Sequence, residues 1–469
     1  MILLAKLSWH PGLISLGKSI DDRSFGDLSS GPRLPGELLR KVIGFTVRLA
    51  GANAIELEDP FSLPYINEEY PEVDPGLFTD RKNLSLVNSS WRAIVQEISA
   101  EYLVIYSGDQ LKALVKKFEA AKQVASRQAK RAHSTSHRQK WIGERTLRID
   151  FKILGFYSIE HIVRLLQCVP NLQTYVNKNG PPGPPEEFTP VEVINALMIH
   201  NSHSLRRVEW SGAGEAPRYQ EIVKLCNRLP HLTTLRLVAV HSYPINKAMP
   251  PPLLVLPKLK TLSLGLIPET DKNRPQYAIT WDVFLHFLCL SPLVQIPSLE
   301  RFDCDIFPHR TMRFFQLHGH KLRTLRTTPW STENVHSETL SLCPNLHTLV
   351  ITQGIEGMSF PQFHPSLAKI CIFPYVDVTV GVPQKVFDSA VMGPLDGLLK
   401  SLETMVAPHL VELRIQNIGA YVNLFEYSTW LRFWWIRWNI RGVHFCDKSG
   451  KSYKDIHDPN EWLLNSVRC

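Results

Sequence analysis

The chain has 469 residues, of which 44% are hydrophobic and 20% are charged. This composition excludes a wholly disordered, collagen-like or coiled-coil protein, and the length suits about three domains. The 52 Lys and Arg residues exceed the 44 Asp and Glu residues by a modest margin, which permits an acidic partner and does not favour nucleic acid. No apolar run reaches the roughly 18–20 residues of a membrane span, and the short apolar stretch at the start predicts no signal peptide.

The eight cysteines are widely scattered and form no C-x-x-C pair. Their spacing predicts neither a zinc site nor a disulfide framework, so we expect a reduced intracellular protein in the cytoplasm, the nucleus or both. Cys168, Cys226 and Cys343 stand near the ends of predicted helices. We expect them in the core, because a free cysteine is usually a small buried hydrophobic residue.

At the start of the chain, residues 1–30 are predicted to be a flexible tail, and a first helix is expected from Pro35 with an apolar stripe that includes Leu38, Leu39, Val42 and Ile43. A second helix is predicted from Thr79 or Asp80. Its stripe is spaced by three and four residues, at Leu84, Val87, Trp91, Ile94 and Ile98. A short strand is expected at 103–106.

The pattern Leu34-Pro35-x-Glu37-Leu38-Leu39, followed by Leu84-x-Leu86-Val87-x-x-x-Trp91-Arg92, resembles the F-box over residues 31–106. The resemblance implies a three-helix motif that docks on a Skp-type adaptor and, through it, on a cullin in a ubiquitin ligase. The residues that it implies for adaptor binding or for folding of the motif are Leu34, Pro35, Leu38, Leu39, Val42, Ile43, Leu84, Leu86, Val87 and Trp91.

Residues 50–79 form an insertion in this motif. Eight acidic residues lie between Glu56 and Asp80, and the insertion contains four prolines but no Lys or Arg. Such a composition predicts a looped or disordered segment. Asn88 stands where the F-box usually has a cysteine.

Residues 107–143 are predicted to be a basic helix and linker, since nine Lys or Arg residues and one acid, Glu119, lie within 112–140. A nuclear-localisation or nucleic-acid patch is the alternative. A solvated helix that pairs with the acidic insertion is favoured, because no aromatic residues alternate with the charges.

A short pattern recurs through the rest of the chain: Pro, any residue, Leu, two residues, then an apolar residue. Composition alone predicts about one or two chance matches. From Leu147 onward, six of the nine steps between the leading leucines fall within the repeat length of about 20–29 residues. Seven copies begin at Pro170, Pro230, Pro257, Pro297, Pro344, Pro365 and Pro408, and two units without proline surround Leu205 and Leu322.

Each repeat combines a strand with a helix. Residues 235 and 237 share one strand face, as do 262/264, 302/304, 349/351 and 413/415, whereas spacings of three to four predict helices around 159–166, 222–225 and 284–288. Such units bury their apolar faces only by stacking, which predicts an α/β solenoid with parallel strands and outer helices. Residues 144–425 thus resemble degenerate leucine-rich repeats, although Val240, Ile267 and Ile418 replace the Asn or Cys of the family. F-box proteins of this architecture are common in mushroom-forming fungi.

At the end of the chain, residues 426–469 are predicted to be a Trp-rich cap over the last repeat, with Trp430, Trp434 and Trp438 on one helix face. An aromatic partner site is the alternative.

The strand positions opposite the apolar face are predicted to form a concave target-binding surface. Six are basic and three acidic, which favours an acidic or mixed protein partner: Arg207, Glu209, Arg236, Arg301, Asp303, Arg326, Lys369, Glu412 and Arg414.

These features favour a non-catalytic substrate receptor of a Skp–cullin–F-box ubiquitin ligase. The alternative is a repeat scaffold unconnected with ubiquitination, in which residues 31–106 cap the solenoid. An apolar patch left exposed on the N-terminal helices distinguishes the two. No hydrolase or dinucleotide motif is present, so no enzyme, catalytic residue, cofactor or metal ligand is predicted.

Overall fold

A computed structural model of the protein describes residues 35–62, 75–131, 141–179, 188–211, 215–241, 253–265, 281–304, 312–328, 335–352, 358–374, 391–416 and 427–453. Within these ranges the chain forms thirteen α-helices and twelve strands. The N-terminal elements are α1 (Gly36–Val47), α2 (Pro75–Val87), α3 (Ser89–Ser99), β1 (Tyr102–Ile105) and α4 (Gly108–Arg131).

The elements of the middle part alternate between strand and helix. They are β2 (Arg148–Phe151), α5 (Ile159–Gln167), β3 (Thr174–Asn177), α6 (Val191–His200), β4 (Arg207–Trp210), α7 (Tyr219–Asn227), β5 (Thr234–Leu237), β6 (Thr261–Leu264), α8 (Trp281–Leu288), α9 (Pro292–Gln295) and β7 (Arg301–Cys304). The last part contains α10 (Met312–His318), β8 (Thr324–Thr327), α11 (Val335–Ser341), β9 (Thr348–Thr352), β10 (Lys369–Phe373), α12 (Gly393–Thr404), β11 (Glu412–Ile415), α13 (Ser428–Ile440) and β12 (His444–Cys446).

The twelve strands form one parallel sheet in which the spatial order is the chain order, β1 to β12. Each strand pairs with the next in a register that repeats, so that Leu235 lies opposite Leu262 and Leu262 opposite Phe302. Parallel neighbours need a crossover, and helices supply it in most of the connections. The result is an α/β fold with the open, solenoid-like arrangement that stacked strand–helix units produce.

The core lies on one side of this sheet. The second and fourth residues of the strands face it, and the predicted pairs Leu235/Leu237, Leu262/Leu264, Phe302/Cys304, Leu349/Ile351 and Leu413/Ile415 are all buried, which confirms the predicted face. The leading leucines of the repeats, from Leu172 to Leu410, are also buried. Cys168, Cys226 and Cys343 join the same core, as expected, and burial raises the pKa of the Cys226 thiol to about 12.

The sheet extends beyond residues 144–425 at both ends. Strand β1 precedes that range, and β12 follows it with parallel pairing to β11. Helix α4 also belongs to this body, because Leu111, Val115 and Phe118 are buried in the main core. The first part of residues 107–143, which were predicted to be a basic helix and linker, is therefore a helix packed into the core.

Helix α13 places its tryptophans as the spacing predicted. Trp434 and Trp438 are buried, and the indoles of Trp430 and Trp434 both donate 3.0 Å hydrogen bonds to Oδ1 of Asp396 on α12. In the described ranges, no helix combines the length and the apolar character needed to cross a membrane.

Candidate functional site

The three N-terminal helices form a small unit with its own core. Ile43 and Val47 of α1 pack against Val95 and Ile98 of α3, and this cluster is separate from the main core of the sheet. Arg81 of α2 closes the end of α1 by donating from Nε and Nη2 to the carbonyl oxygen of Val47, at 3.0 and 2.8 Å. The unit is thus held by apolar packing and by Arg81, which satisfies a carbonyl oxygen at the end of α1 that has no hydrogen-bond donor within the helix.

The predicted second helix is in fact two helices, so the continuous helix expected from residue 79 to residue 98 was wrong. The break is at Asn88, whose backbone is extended and whose Oδ1 accepts a 2.9 Å hydrogen bond from the Trp91 amide. Asparagine is among the best N-cap residues because its side chain satisfies an amide at the start of a helix. Apolar spacing alone did not reveal this cap.

The structure sorts the predicted adaptor-binding residues by exposure. Ile43 is buried, and Leu39, Leu84 and Trp91 pack partly against the small core, so these four side chains fold the unit. Leu34 lies outside the described residues. The remaining predicted residues are exposed: Pro35, Leu38, Val42, Leu86 and Val87.

The exposed residues of α1 form an apolar face that continues beyond the prediction. Leu38, Val42 and Phe45 follow one another at spacings of four and three, which places them on one side of the helix. Phe45, which was not among the predicted adaptor-binding residues, is 91% exposed. Its position three residues after Val42 was the available indication. Leu86 and Val87 end the neighbouring helix α2 and are 66% and 55% exposed.

On the sheet, the side opposite the core carries a repeated pairing of arginine with a carboxylate on the same strand. We call this side the strand face, formed by the first and third residues of β2 to β11. Arg148 binds Asp150 through Nε at 2.8 Å and through Nη2 at 3.0 Å, and Arg301 binds Asp303 in the same way at 2.9 and 2.8 Å. Residues two apart on a strand point to the same face, which explains the pairing.

Two more strands repeat the arrangement. Nη2 of Arg207 binds Glu209 at 2.7 Å, and Nε and Nη2 of Arg414 bind Glu412 at 3.0 and 2.6 Å, in the reverse order along the strand. In each of the four pairs the carboxylate takes the Nη2 side of the guanidinium. The Nη1 group of each arginine points to another partner.

That partner is the first part of the acidic insertion, residues 51–62, which crosses the strand face and which we call the strap. Its backbone carbonyl oxygens accept hydrogen bonds from the four Nη1 groups. Arg148 donates to Gly51 at 3.1 Å, Arg207 to Glu56 at 3.1 Å, Arg301 to Glu58 at 3.0 Å and Arg414 to Pro60 at 3.0 Å. The strap thus contacts the sheet from β2 to β11.

The strap is short for the number of strands that it contacts. Pro60 lies nine positions after Gly51, and an extended chain spans at most about 32 Å over nine residues. Nine spacings between parallel strands measure about 43 Å. Measured this way, the strap is shorter than the row of strands, and its partners on the sheet are long arginine side chains.

Two side chains of the strap also contact the sheet. A carboxylate oxygen of Glu58 lies 3.9 Å from Nη1 of Arg236. The ring of Phe61 lies 5.2 Å from both the Arg414 guanidinium carbon and the Lys369 ammonium, a geometry of cation–π contact. Ala52, Leu57 and Pro60 are the buried residues of the strap.

The predicted target-binding residues therefore lie on the expected face of the sheet but are mostly covered. Arg207 and Glu209 are fully buried, Arg236, Asp303 and Arg414 are at most 6% exposed, and Arg301, Arg326, Lys369 and Glu412 are partly buried. The strap occupies this face, so most of these side chains are not open to solvent. Residues 51–62 are a loop, as expected, and this loop is held against the sheet by hydrogen bonds.

The cations around Glu209 keep its carboxylate charged. Burial alone raises the pKa of Glu209, but Arg207, Arg236 and Lys178 outweigh burial and hold the pKa of this carboxyl far below its ordinary value. Nη1 of Arg236 and Nζ of Lys178 both lie 3.8 Å from Oε1 of Glu209. Glu209 is an anion that fixes cations in place.

Four residues that contact the strap or its arginine partners were not predicted: Arg148, Asp150 and Thr174 on the strand face, and Gln416 directly after β11. Thr174 donates to the carbonyl oxygen of Ala54 at 3.4 Å, and Gln416 donates to that of Pro60 at 3.0 Å. The recurring Arg-x-Asp or Arg-x-Glu spacing in β2, β4 and β7 was a detectable indication. The strap itself had none, because most of its contacts use backbone oxygens.

Comparison of the chain with known proteins finds no matching family model and no matching curated protein. Within the described ranges, no three His, Cys, Asp or Glu side chains are grouped so as to hold a metal ion.

Proposed function

We propose that the protein is a non-catalytic substrate receptor of a Skp–cullin–F-box ubiquitin ligase, in which α1–α3 dock on a Skp-type adaptor and the sheet binds a protein target. One observation supports this proposal most directly. The apolar face of Leu38, Val42 and Phe45 on α1 is left exposed, although α1 uses its opposite side, at Ile43 and Val47, to fold the unit. A helix that is apolar on both sides needs a partner for the second.

The charge around this face supports an interface with an apolar centre. Glu37 and Lys41 lie beside it on α1 and are exposed, whereas Arg40 turns to Glu97 of α3 at 2.6 Å. A rim of charges around exposed apolar anchors is the usual anatomy of a protein interface. A single exposed apolar residue does not indicate an interface, but three neighbouring ones on one helix face do.

The test is co-purification of the full chain with a Skp-type adaptor, followed by titration calorimetry. A Val42→Asp/Phe45→Asp variant removes the apolar face without touching the buried side of α1. A matched control is Ile199→Asp/Leu293→Asp, which changes two exposed apolar residues on α6 and α9, 72% and 87% exposed. We expect the control to bind the adaptor like the original chain, and the α1 variant to bind at least tenfold more weakly.

The opposite result favours the scaffold alternative. A folded chain that binds no adaptor, or that loses nothing with Val42→Asp/Phe45→Asp, removes the ligase link. One feature of the strap favours the scaffold alternative. The strap joins the helical unit to the sheet through backbone hydrogen bonds, as a structural cap requires.

A further inference from the structure

The strap occupies the strand face much as a bound peptide occupies a groove. Its main hydrogen bonds to the sheet are made by backbone carbonyl oxygens, at Gly51, Ala54, Glu56, Glu58 and Pro60. Every peptide has such carbonyls. The four arginine donors are held in position by their own carboxylates, so the face that receives the strap is built by the sheet and does not depend on the strap sequence.

The charge of the strand face selects the class of peptide that fits it. The first and third residues of β2 to β11 include seven basic and four acidic side chains, an excess of three positive charges. The strap contains three acidic residues, Glu56, Glu58 and Asp59, and no basic one. The segment that covers the face thus balances its charge.

Two positions of the strap add side-chain selectivity. Glu58 is placed against Arg236, and three residues later the Phe61 ring is placed against Arg414 and Lys369. A turn closed by Asp59 sets this spacing, since its Oδ1 accepts from the Phe61 amide at 3.0 Å and its carbonyl oxygen from the Ser62 amide at 3.0 Å. An acidic residue three positions before an aromatic one is therefore the pattern that the face favours.

From these contacts we infer that the strand face binds an acidic peptide segment of the target in the place of residues 51–62. Such a segment offers its carbonyl oxygens to Arg148, Arg207, Arg301 and Arg414. Its carboxylate contacts Arg236, and an aromatic ring three residues later contacts Arg414 and Lys369. The strap is then an intramolecular occupant that a target displaces. The inference rests on the proposed function only in taking the sheet as the target-binding part.

The test uses a fluorescent synthetic peptide of residues 50–62 as the probe and follows its anisotropy. It is titrated with the original full chain and with a full chain in which residues 53–61 are replaced by nine Gly and Ser residues. We expect the replaced chain to bind the peptide at least tenfold more tightly, because its face is open. Peptides with Glu58→Lys or Phe61→Ala should bind at least fivefold more weakly, and a scrambled peptide of the same composition more weakly than either.

A second variant guards against loss of folding in the replaced chain. The Glu58→Gln/Phe61→Ala variant of the full chain weakens the side-chain contacts between the strap and the sheet and keeps the backbone contacts. This variant should also bind the peptide several-fold more tightly than the original chain. The inference is overturned if folded variants bind the peptide no better than its scrambled form. It is also overturned if the Glu58→Lys and Phe61→Ala peptides bind as well as the original one.

Adaptor binding is measured on the same chains, so that the two ideas fail separately. Adaptor binding without peptide binding overturns the inference and leaves the proposed ligase function in place. Peptide binding without adaptor binding supports the inference and assigns the strand face to a scaffold instead.

Discussion

Nη1 of Arg414, on β11, donates a 3.0 Å hydrogen bond to the carbonyl oxygen of Pro60, which lies 354 positions earlier in the chain. This contact joins the loop between the first two helices to the far end of the sheet. Loops that run across a whole sheet must satisfy their backbone polar groups somewhere, and here the sheet side chains do so. The N-terminal helical unit and the strand face are therefore physically connected.

The Arg207–Glu209 pair should be needed for stability. Both side chains are fully buried, so Arg207→Met leaves Glu209 with its Nη2 partner removed. Breaking a buried pair in this way costs about 3 kcal/mol. We expect a loss of that size in the free energy of unfolding, measured by urea denaturation.

The neighbouring residue provides the control for this pair. Arg206→Met changes an exposed side chain of the same type and should alter the free energy of unfolding by less than about 0.5 kcal/mol. The double variant Arg207→Met/Glu209→Met should be more stable than Arg207→Met alone. If Arg207→Met is no worse than Arg206→Met, the pair does not stabilise the sheet.

His318 on α10 should give the protein a pH dependence in the mildly acidic range. Burial and the nearby Lys321 lower the pKa of this imidazole to about 4, whereas an unfolded histidine titrates near 6.5. The unfolded state therefore takes up the proton first, and stability is lost as the pH falls from about 6.5 to about 4. Over this window we expect the free energy of unfolding to decrease by roughly 2 kcal/mol more in the original chain than in His318→Gln.

A matched histidine separates this effect from the general response to acid. His203 is exposed, whereas His318 is fully buried. The His203→Gln variant should keep the pH dependence of the original chain, and identical slopes for His318→Gln and His203→Gln are the result that contradicts the prediction.

The parts of the fold that could be predicted from the sequence depend on interactions between residues close together in the chain. Leu235 and Leu237, or Leu413 and Ile415, share a strand face by the alternation of the backbone, and the repeat then determines the parallel stacking. The strap was not predictable in this way, because Gly51 and Pro60 contact the sheet through carbonyl oxygens that every residue possesses. The break at Asn88 was hidden because the apolar spacing from Leu84 to Ile98 is continuous across it.

Asp396 on α12 should hold the C-terminal helix in place. Its Oδ1 accepts from the indoles of Trp430 and Trp434, and Trp434 is buried. Asp396→Ala leaves both donors without this acceptor, which costs about 2 kcal/mol for buried groups. We expect the free energy of unfolding, measured by circular dichroism during urea denaturation, to decrease by this amount.

Lys400→Ala is the control, because it removes only the exposed partner of Asp396. It should lower the free energy of unfolding by less than about 0.5 kcal/mol, and equal losses for the two variants would contradict the role of Asp396.

Asn88 should control the stability of α3 and, through it, of the three-helix unit formed by α1–α3. Its Oδ1 caps the Trp91 amide at 2.9 Å, and the loss of such a cap costs about 1 kcal/mol. Because the core of α1–α3 is separate from the main core, hydrogen exchange measures this loss better than global unfolding. We expect the Trp91 amide to exchange about fivefold faster in Asn88→Ala than in the original chain.

Two variants serve as controls for this prediction. Asn88→Asp should keep the original exchange rate, since aspartate also caps helices, and Ser90→Ala changes an exposed residue in the first turn of the same helix. If Asn88→Ala and Ser90→Ala exchange alike, Asn88 does not cap the helix, and the boundary between α2 and α3 has another cause.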